Sequence, residues 1–77
     1  MKITISFYEA SNYTSESVEM VGYACRSNPN RIQELHDLGD EIKNVLIHHY
    51  FNSADLAIEY FGADIDKEEF TFKLKAN

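Results

Sequence analysis

The longest periodic pattern of apolar and polar residues runs from Asn28 to Phe51. On a helix of about 3.6 residues per turn, its apolar residues fall within one arc, as they do in a helix packed on a core. The arc comprises Ile32, Leu35, Leu38, Ile42, Val45, Leu46 and His49. The segment is therefore predicted to be one long amphipathic helix.

The start of this helix has two candidate caps. Asn28 can cap it with Pro29 at the first helical position, or Asn30 can cap it with Gln33 closing a capping box. Gly39 lies inside the helix and costs about 1 kcal/mol relative to alanine. We therefore expect another backbone to approach the helix closely at this position.

Alternation of apolar and polar residues predicts strands elsewhere in the chain. Residues 2–8 and 70–75 alternate strictly, with isoleucine, leucine and phenylalanine on the inner side. A further strand is predicted over residues 16–25, after a small polar loop at residues 10–15, and either of its faces can be the buried one. Gly22 would mark a bulge in that strand.

A short second helix is predicted over residues 53–61, with Asp55 in its first turn and Gly62 just past its end. The element order is then ββααβ. It predicts one α+β domain of two layers, with a three-stranded, mostly antiparallel sheet and both helices on one face. The first strand is expected to be central, and the third, with Lys73 and Lys75 pointing outward, to be a protected edge.

Negative charge is concentrated in the helical half of the chain. The net charge is −6, and residues 32–66 hold eight acidic residues against Lys43 alone, whereas residues 1–31 are balanced. Direct binding to nucleic acid or to an anionic membrane requires basic surface. We therefore expect neither, and a basic protein partner is favoured.

One stripe of the long helix is acidic. Glu34, Asp37 and Glu41 are spaced i, i+3 and i+7, and the like-charge pair Asp37–Glu41 destabilises a helix by a few tenths of a kcal/mol. Carboxylates at this spacing lie about 5–6 Å apart, which is comparable to a line of phosphates. The stripe is either an ordinary solvated face or a docking surface for a basic groove.

Three other acidic residues would widen this surface. Asp40 lies off the stripe, beside Ile47, and Asp55 and Glu59 are spaced i, i+4 on the predicted second helix. The candidate partner-binding residues are therefore Glu34, Asp37, Asp40, Glu41, Asp55 and Glu59. Tyrosines at positions 8, 13 and 23 offer a second candidate surface if they point outward, although tyrosine is also simply a good strand former.

Metal-binding patterns are incomplete. Asp64, Asp66 and Glu68 match the opening of a calcium loop, but Glu69 stands where that loop needs glycine and Lys75 where it needs glutamate. A solvated acidic connector explains these residues.

The histidines and the cysteine also lack partners of the required spacing. His48 and His49 point about 100° apart on a helix and cannot chelate one ion, and His36–Asp37 has no further ligands in so short a chain. Cys25 has no base beside it and is predicted to be a buried thiol. We therefore expect no metal, no cofactor and no enzymatic activity.

A single cysteine excludes an internal disulfide, as is typical of a reducing compartment. No apolar run approaches the roughly 20 residues of a membrane span, and the first ten residues lack the apolar segment of a signal peptide. These features predict a cytoplasmic protein.

In size, α+β plan, acid excess and lack of catalytic motifs, the chain resembles the small acidic inhibitors that phages and mobile elements direct against host defence, the anti-CRISPR and anti-restriction proteins. The resemblance covers the whole chain in character and carries no shared motif. It implies a stoichiometric inhibitor, acting in the host cytoplasm, that blocks the DNA or RNA site of a basic, nucleic-acid-binding protein. Glu34, Asp37, Asp40 and Glu41 would then meet lysines and arginines.

The alternative is a small intracellular interaction or regulatory module, antitoxin-like, that binds a protein without mimicking nucleic acid. Self-association through an open sheet face or edge, for example as a homodimer, belongs to this alternative because the core is small.

Overall fold

The computed structural model describes residues 1–50 and 56–76. Within these ranges the chain forms three strands and three α-helices. In chain order they are β1 (Lys2–Ser6), α1 (Phe7–Ala10), α2 (Val18–Ser27), α3 (Ile32–Tyr50), β2 (Leu56–Asp64) and β3 (Glu69–Ala76). Short 3-10 turns occupy Ser11–Tyr13 and Pro29–Arg31.

The strands form one antiparallel sheet in the order β1-β3-β2. This confirms the α+β class and the three-stranded antiparallel sheet, but the predicted strand positions are wrong. β3 is the central strand and β1 is an edge. An outward lysine shows which face of the sheet meets solvent, but it does not show that its strand is an edge. Lys73 points to the solvent face of the central strand, where it lies opposite Lys2 on β1 and Glu59 on β2.

The long helix is confirmed as α3. Leu35, Leu38, Ile42 and Leu46 are buried, as the apolar arc requires. α3 begins at Ile32, later than predicted, and Asn28 caps the 3-10 turn Pro29–Arg31 that precedes it, since its Oδ1 accepts the Asn30 N–H at 3.2 Å and Pro29 follows it. The side chain of His49 lies outside the described residues.

The predicted strand over residues 16–25 is wrong, because this segment forms α2. The Ser17 hydroxyl accepts the Met20 N–H and caps the helix. Val18, Gly22 and Cys25 are buried at a spacing of i, i+4 and i+7, which is a helical period. Gly22 is therefore no bulge.

The predicted helix over residues 53–61 is also wrong where the structure describes it. Residues 56–61 belong to β2, and the remaining part of that prediction lies outside the described residues. Gly62 caps no helix but follows a bulge, since the register with β3 shifts between Tyr60 and Gly62. The acidic connector is the hairpin turn between β2 and β3, in which Asp64 Oδ1 accepts the Lys67 N–H at 3.0 Å.

The core lies between the sheet and the helices. Phe7 of α1 packs on Phe70 of β3 with ring centroids 4.9 Å apart, and α3 packs on both β2 and α2. Gly39 is buried against the Tyr60 ring, where an added Cβ would lie 2.7 Å from Cζ. The expected close approach at Gly39 is present, but an aromatic side chain makes it rather than a backbone.

Candidate protein-binding site

A surface groove of about 250 Å³ lies between α2 and α3. Its lining combines two apolar side chains with four carboxylates. The lining residues are Val21 and Leu38, then Glu16, Glu34, Asp37 and Glu41. The acidic stripe of α3 is therefore one wall of a groove rather than a flat face.

Local structure explains how these side chains come together. Glu34, Asp37, Leu38 and Glu41 are neighbours on α3 because residues three and four apart share a helix face. Glu16 immediately precedes Ser17, the residue that caps α2, and this brings a fourth carboxylate to the groove.

Glu34 is partly neutralised within the chain. Arg31 donates from Nε to Glu34 Oε2 at 2.7 Å and from Nη2 to Oε1 at 3.0 Å. These hydrogen bonds, together with the charge of Arg31, hold the pKa of the Glu34 carboxyl below its ordinary value. Both side chains are about half exposed, so an incoming cation could compete with Arg31 for the carboxylate.

Asp37 and Glu41 are held by neutral donors. Gln33 Nε2 donates to Asp37 Oδ1 at 3.0 Å, and Thr14 Oγ1 donates to Glu41 Oε2 at 3.1 Å. Neither carboxylate forms an ion pair with any residue in the described part of the chain. These bonds orient the two carboxylates and bring no positive charge to them.

The other predicted binding residues lie away from this groove. Asp40 is exposed on α3, and its charge acts on Tyr60 of β2. Glu59 is on β2, not on a helix, and points away from α3 because it alternates with the inward Ile58 and Tyr60. Asp55 lies outside the described residues. The structure therefore brings together Glu34, Asp37 and Glu41, but not Asp40 or Glu59.

Two residues that line the groove, Glu16 and Val21, are not among those predicted from the sequence. A signal was present, since Val18, Val21, Gly22 and Cys25 repeat at i, i+3, i+4 and i+7. Assigned to a helix, this segment places Val21 beside its buried neighbours and Glu16 just ahead of the cap.

The groove has the chemistry to receive a basic side chain. The methylene stem of lysine or arginine can lie along apolar surface while its charged end reaches carboxylates. Val21 and Leu38 supply the apolar surface, and the acidic residues above them supply the acceptors. Arginine can in addition bind one carboxylate through two parallel hydrogen bonds.

A second polar cluster lies between α3 and β2. The Tyr60 hydroxyl is 2.6 Å from Nδ1 of His36. Burial, and secondarily the negative charge of Asp40, raises the pKa of Tyr60 to about 12, so its hydroxyl stays protonated at neutral pH. This cluster joins the sheet to the helix.

Cys25 is buried, as predicted, and its thiol donates to the carbonyl oxygen of Arg31 at 3.3 Å. Within residues 1–50 and 56–76, no group of three or more His, Cys, Asp or Glu side chains is placed to hold a metal ion. The same residues include no helix long and apolar enough to cross a bilayer.

The tyrosines predicted to form a surface on a hairpin lie on different elements from those expected. Tyr8 and Tyr23 are exposed, but they lie on α1 and α2 rather than on a hairpin. Met20 joins Tyr23 on the exposed side of α2, three residues earlier.

No protein-family model, curated protein or solved structure matches this chain. Its candidate function is therefore inferred from the groove and its surroundings.

Proposed function

We propose that this chain is a stoichiometric inhibitor that binds a basic, nucleic-acid-binding protein and occupies its DNA or RNA site, as do the anti-CRISPR and anti-restriction proteins that it resembles. One observation carries the proposal. Asp37 and Glu41 accept hydrogen bonds from neutral donors, neither forms an ion pair with a described residue, and both line the groove beside Val21 and Leu38. Such an arrangement suits lysines and arginines that otherwise bind phosphates.

Binding would combine a long-range and a short-range component. The net charge of −6 steers the chain toward a basic surface and makes association fast and salt-sensitive. At contact, one arginine or lysine of the partner enters the groove, with its stem on Val21 and Leu38 and its charged end at Asp37 and Glu41. Neighbouring basic residues of the partner meet Glu34 and Asp40 along α3.

Charge reversal tests this proposal. The variant Asp37→Lys/Glu41→Lys reverses the two unneutralised carboxylates of the groove. The matched control, Glu19→Lys/Asp66→Lys, reverses two exposed acids elsewhere, on α2 and in the β2–β3 turn. Both variants change the net charge from −6 to −2, because each reversal adds two units. A difference between them therefore reports the position of the charge rather than its total.

The assay is affinity capture of the partner from native host lysate, followed by competition with duplex DNA. We expect the wild type and the control to capture the same basic protein, DNA to displace it, and the groove variant to capture none. We also expect affinity to fall steeply as salt is raised. Equal capture by both variants would exclude the groove as the binding site.

A second candidate is an interaction module that binds a protein without nucleic-acid mimicry. The observation that favours it is the pair Met20 and Tyr23 on α2, which are 68% and 69% exposed. Methionine and tyrosine are enriched at interfaces. In this case Met20→Ser/Tyr23→Ser would abolish capture, Asp37→Lys/Glu41→Lys would not, and salt would have little effect.

A further inference from the structure

The face of the sheet that is turned away from the helices carries an exposed aromatic ring between two lysines. Phe72 of β3 is buried in the core, so the next residue along the strand, Lys73, points to the opposite, outer face. Phe61 of β2 is 54% exposed, and the centroid of its ring lies 4.4 Å from Nζ of Lys2 and 5.4 Å from Nζ of Lys73. Phe61 therefore belongs to the outer face.

The ring of Phe61 lies across the central strand. Lys2 is on β1 and Phe61 is on β2, and β3 lies between these two strands. Lys2 and Lys73 are register partners, so their side chains share the outer face. The next outward pair, Thr4 and Thr71, is small and neutral. The middle of the outer face is thus an aromatic surface with two ammonium groups beside it.

This combination of groups suits a single strand of nucleic acid. Proteins that bind single strands combine positive charge, which contacts phosphates, with aromatic side chains on which bases stack. Stacking of a base on an aromatic ring is stronger than the contact of an exposed lysine with that ring. A base can therefore displace Lys2 from the ring of Phe61, and the released ammonium group is then free to bind a phosphate of the same strand.

We infer that the outer face of the sheet binds a short stretch of single-stranded nucleic acid, with a base stacked on Phe61 and a neighbouring phosphate bound by Lys2 and Lys73. A strand suits this surface better than a free nucleotide does, because small-molecule sites are concave, whereas Lys2, Thr4 and Phe61 lie exposed on an open sheet. A duplex suits it less well, since its bases are already stacked on one another.

The net charge of −6 opposes nucleic-acid binding, so the position of the acidic residues matters. The carboxylates of Glu34, Asp37 and Glu41 line the groove between α2 and α3, on the helical side of the sheet. A helix is about 10 Å across, and the Debye length at physiological ionic strength is about 8 Å. Salt therefore screens these carboxylates from the outer face.

The outer face itself also carries acidic residues, and these limit how much of a strand it can bind. Glu59 lies opposite Lys73 and offsets part of the positive charge there. Asp64 and Glu69 lie opposite each other at the far end of the sheet, next to the β2–β3 turn. The bound strand is therefore expected at the end of the face that carries Lys2 and Lys73.

This inference does not rest on the proposed inhibitor function. The groove is on the helical side of the sheet and Phe61 is on the opposite side, so both surfaces are accessible at once. Failure of either proposal therefore leaves the other standing.

Binding is measured by titrating octathymidylate into isotope-labelled protein at low salt, up to about 1 mM, where weak complexes are populated. We expect saturable shifts of the backbone amide signals of Phe61, Thr71 and Lys73. The absence of a saturable shift overturns the proposal. Shifts confined to the residues that line the groove also overturn it.

Substitution of the ring tests stacking. Phe61→Leu keeps an apolar side chain but removes the ring, and at least about tenfold weaker binding is expected. Phe61→Tyr keeps the ring and should bind within about twofold of the wild type. Tyr8→Leu is the matched control, because Tyr8 is an exposed aromatic residue on α1. Wild-type affinity in Phe61→Leu, or an equal loss in Tyr8→Leu, overturns the proposal. Thermal unfolding establishes that each variant is folded.

Substitution of a lysine tests the phosphate contact. Lys2→Gln should weaken binding about threefold at low salt, because a phosphate contact is lost. Lys67→Gln is the matched control, since it removes the same charge from an exposed residue of the β2–β3 turn and should leave the affinity unchanged. Equal losses in the two variants would reflect net charge alone and would overturn the assigned contact.

Two further probes test the class of ligand. A blunt DNA duplex and an octaglutamate peptide are both anionic, but neither offers a row of unstacked bases. We expect each to bind at least about tenfold more weakly than octathymidylate. Thymidine monophosphate should be weaker by a similar factor, because it lacks neighbouring phosphates. Equal binding of the duplex, the peptide or the mononucleotide would point to a different occupant of this face and overturn the proposal.

Discussion

The hydroxyl of Tyr60 lies 2.6 Å from Nδ1 of His36, and the same tyrosine ring lies against Gly39 one turn further along α3. Tyr60 therefore joins the sheet to the helix by a hydrogen bond and by close packing at once. Its ring also contacts Phe70 and Phe72, at centroid distances of 5.8 and 5.9 Å.

Tyr60→Phe is expected to lower the free energy of unfolding by about 1 kcal/mol at neutral pH, because one partly buried hydrogen bond is lost while the ring packing remains. Chemical denaturation at pH 7 measures this. Tyr60→Leu is the comparison variant and should cost more, since it removes the aromatic contacts as well.

The same substitution changes stability in alkali. The folded-state pKa of Tyr60 is about 12, above its ordinary value of 10.0, so the folded state favours the protonated form. This contribution is complete below pH 10 and is lost as the pH rises toward 12. The wild type should thus lose its advantage over Tyr60→Phe across this interval. An advantage that stays constant to pH 12 would show that Tyr60 ionises equally in both states.

Gly39→Ala tests the close approach of the Tyr60 ring. Alanine improves helix propensity by about 1 kcal/mol, but its Cβ would overlap the ring, and overpacking costs about 1–3 kcal/mol. We expect net destabilisation, measured by thermal unfolding. The matched control is Gly62→Ala, where an added Cβ meets nothing within 4 Å. If Gly39→Ala stabilises the protein, the ring moves aside at little cost.

Sequence periodicity identified α3 because its apolar arc repeats over five turns and no strand of that length fits the pattern. The segment that forms α2 is shorter, and its apolar residues satisfy a period of 2 and a period of 3.6 equally well. Burial of Gly22 against Phe7 decides between the two, and that contact joins residues far apart in sequence.

β2 was misassigned for a related reason. Asp55 and Gly62 have the spacing of helix-terminal residues, yet Ile58 and Tyr60 alternate with Glu59 and Phe61 as a strand requires. The alternation is stabilised by pairing with β3 and by packing of the inward side chains on α3, and both partners lie far away in sequence. The acidic residues on α3 could be predicted from their helical spacing. Their groove could not, because its other wall is α2, a segment that is predicted to be a strand.

Glu68→Gly is expected to stabilise the β2–β3 hairpin. Glu68 has a φ of 53°, in the left-handed region that costs an L-residue about 1–2 kcal/mol. Glycine avoids most of this cost, and the net gain should be about 0.5–1 kcal/mol after its greater entropy loss. Glu69→Gly is the control, since Glu69 lies in regular strand and the change should destabilise. A melting temperature of Glu68→Gly below that of the wild type would contradict this account of the turn.

Arg31→Gln should strengthen the binding of a basic ligand. Arg31 is the cation that neutralises Glu34, and its removal leaves the groove more negative. With a short arginine-rich peptide as probe, we expect affinity to rise roughly twofold at low salt, an effect that disappears at high salt. Arg26→Gln is the matched control, because it removes the same charge from a residue whose Nη2 donates to the Ile65 carbonyl near the β2–β3 turn. Equal gains in both variants would reflect net charge alone and not the groove.

The pKa of the Glu34 carboxyl tests the Arg31–Glu34 ion pair without a ligand. Its pKa is lowered in the folded state by hydrogen bonds from Arg31, so this contribution to stability is present above the ordinary pKa of 4.5 and is lost as the pH falls through the lower folded-state value. In Arg31→Gln the pKa of Glu34 should return toward 4.5, which a carbon-detected NMR titration of the carboxyl group measures. The acid-side difference in stability between wild type and variant should close over the same pH interval. An unchanged Glu34 pKa would mean that the ion pair with Arg31 does not persist in solution. All four carboxylates of the groove would then be open to a basic ligand without competition from Arg31.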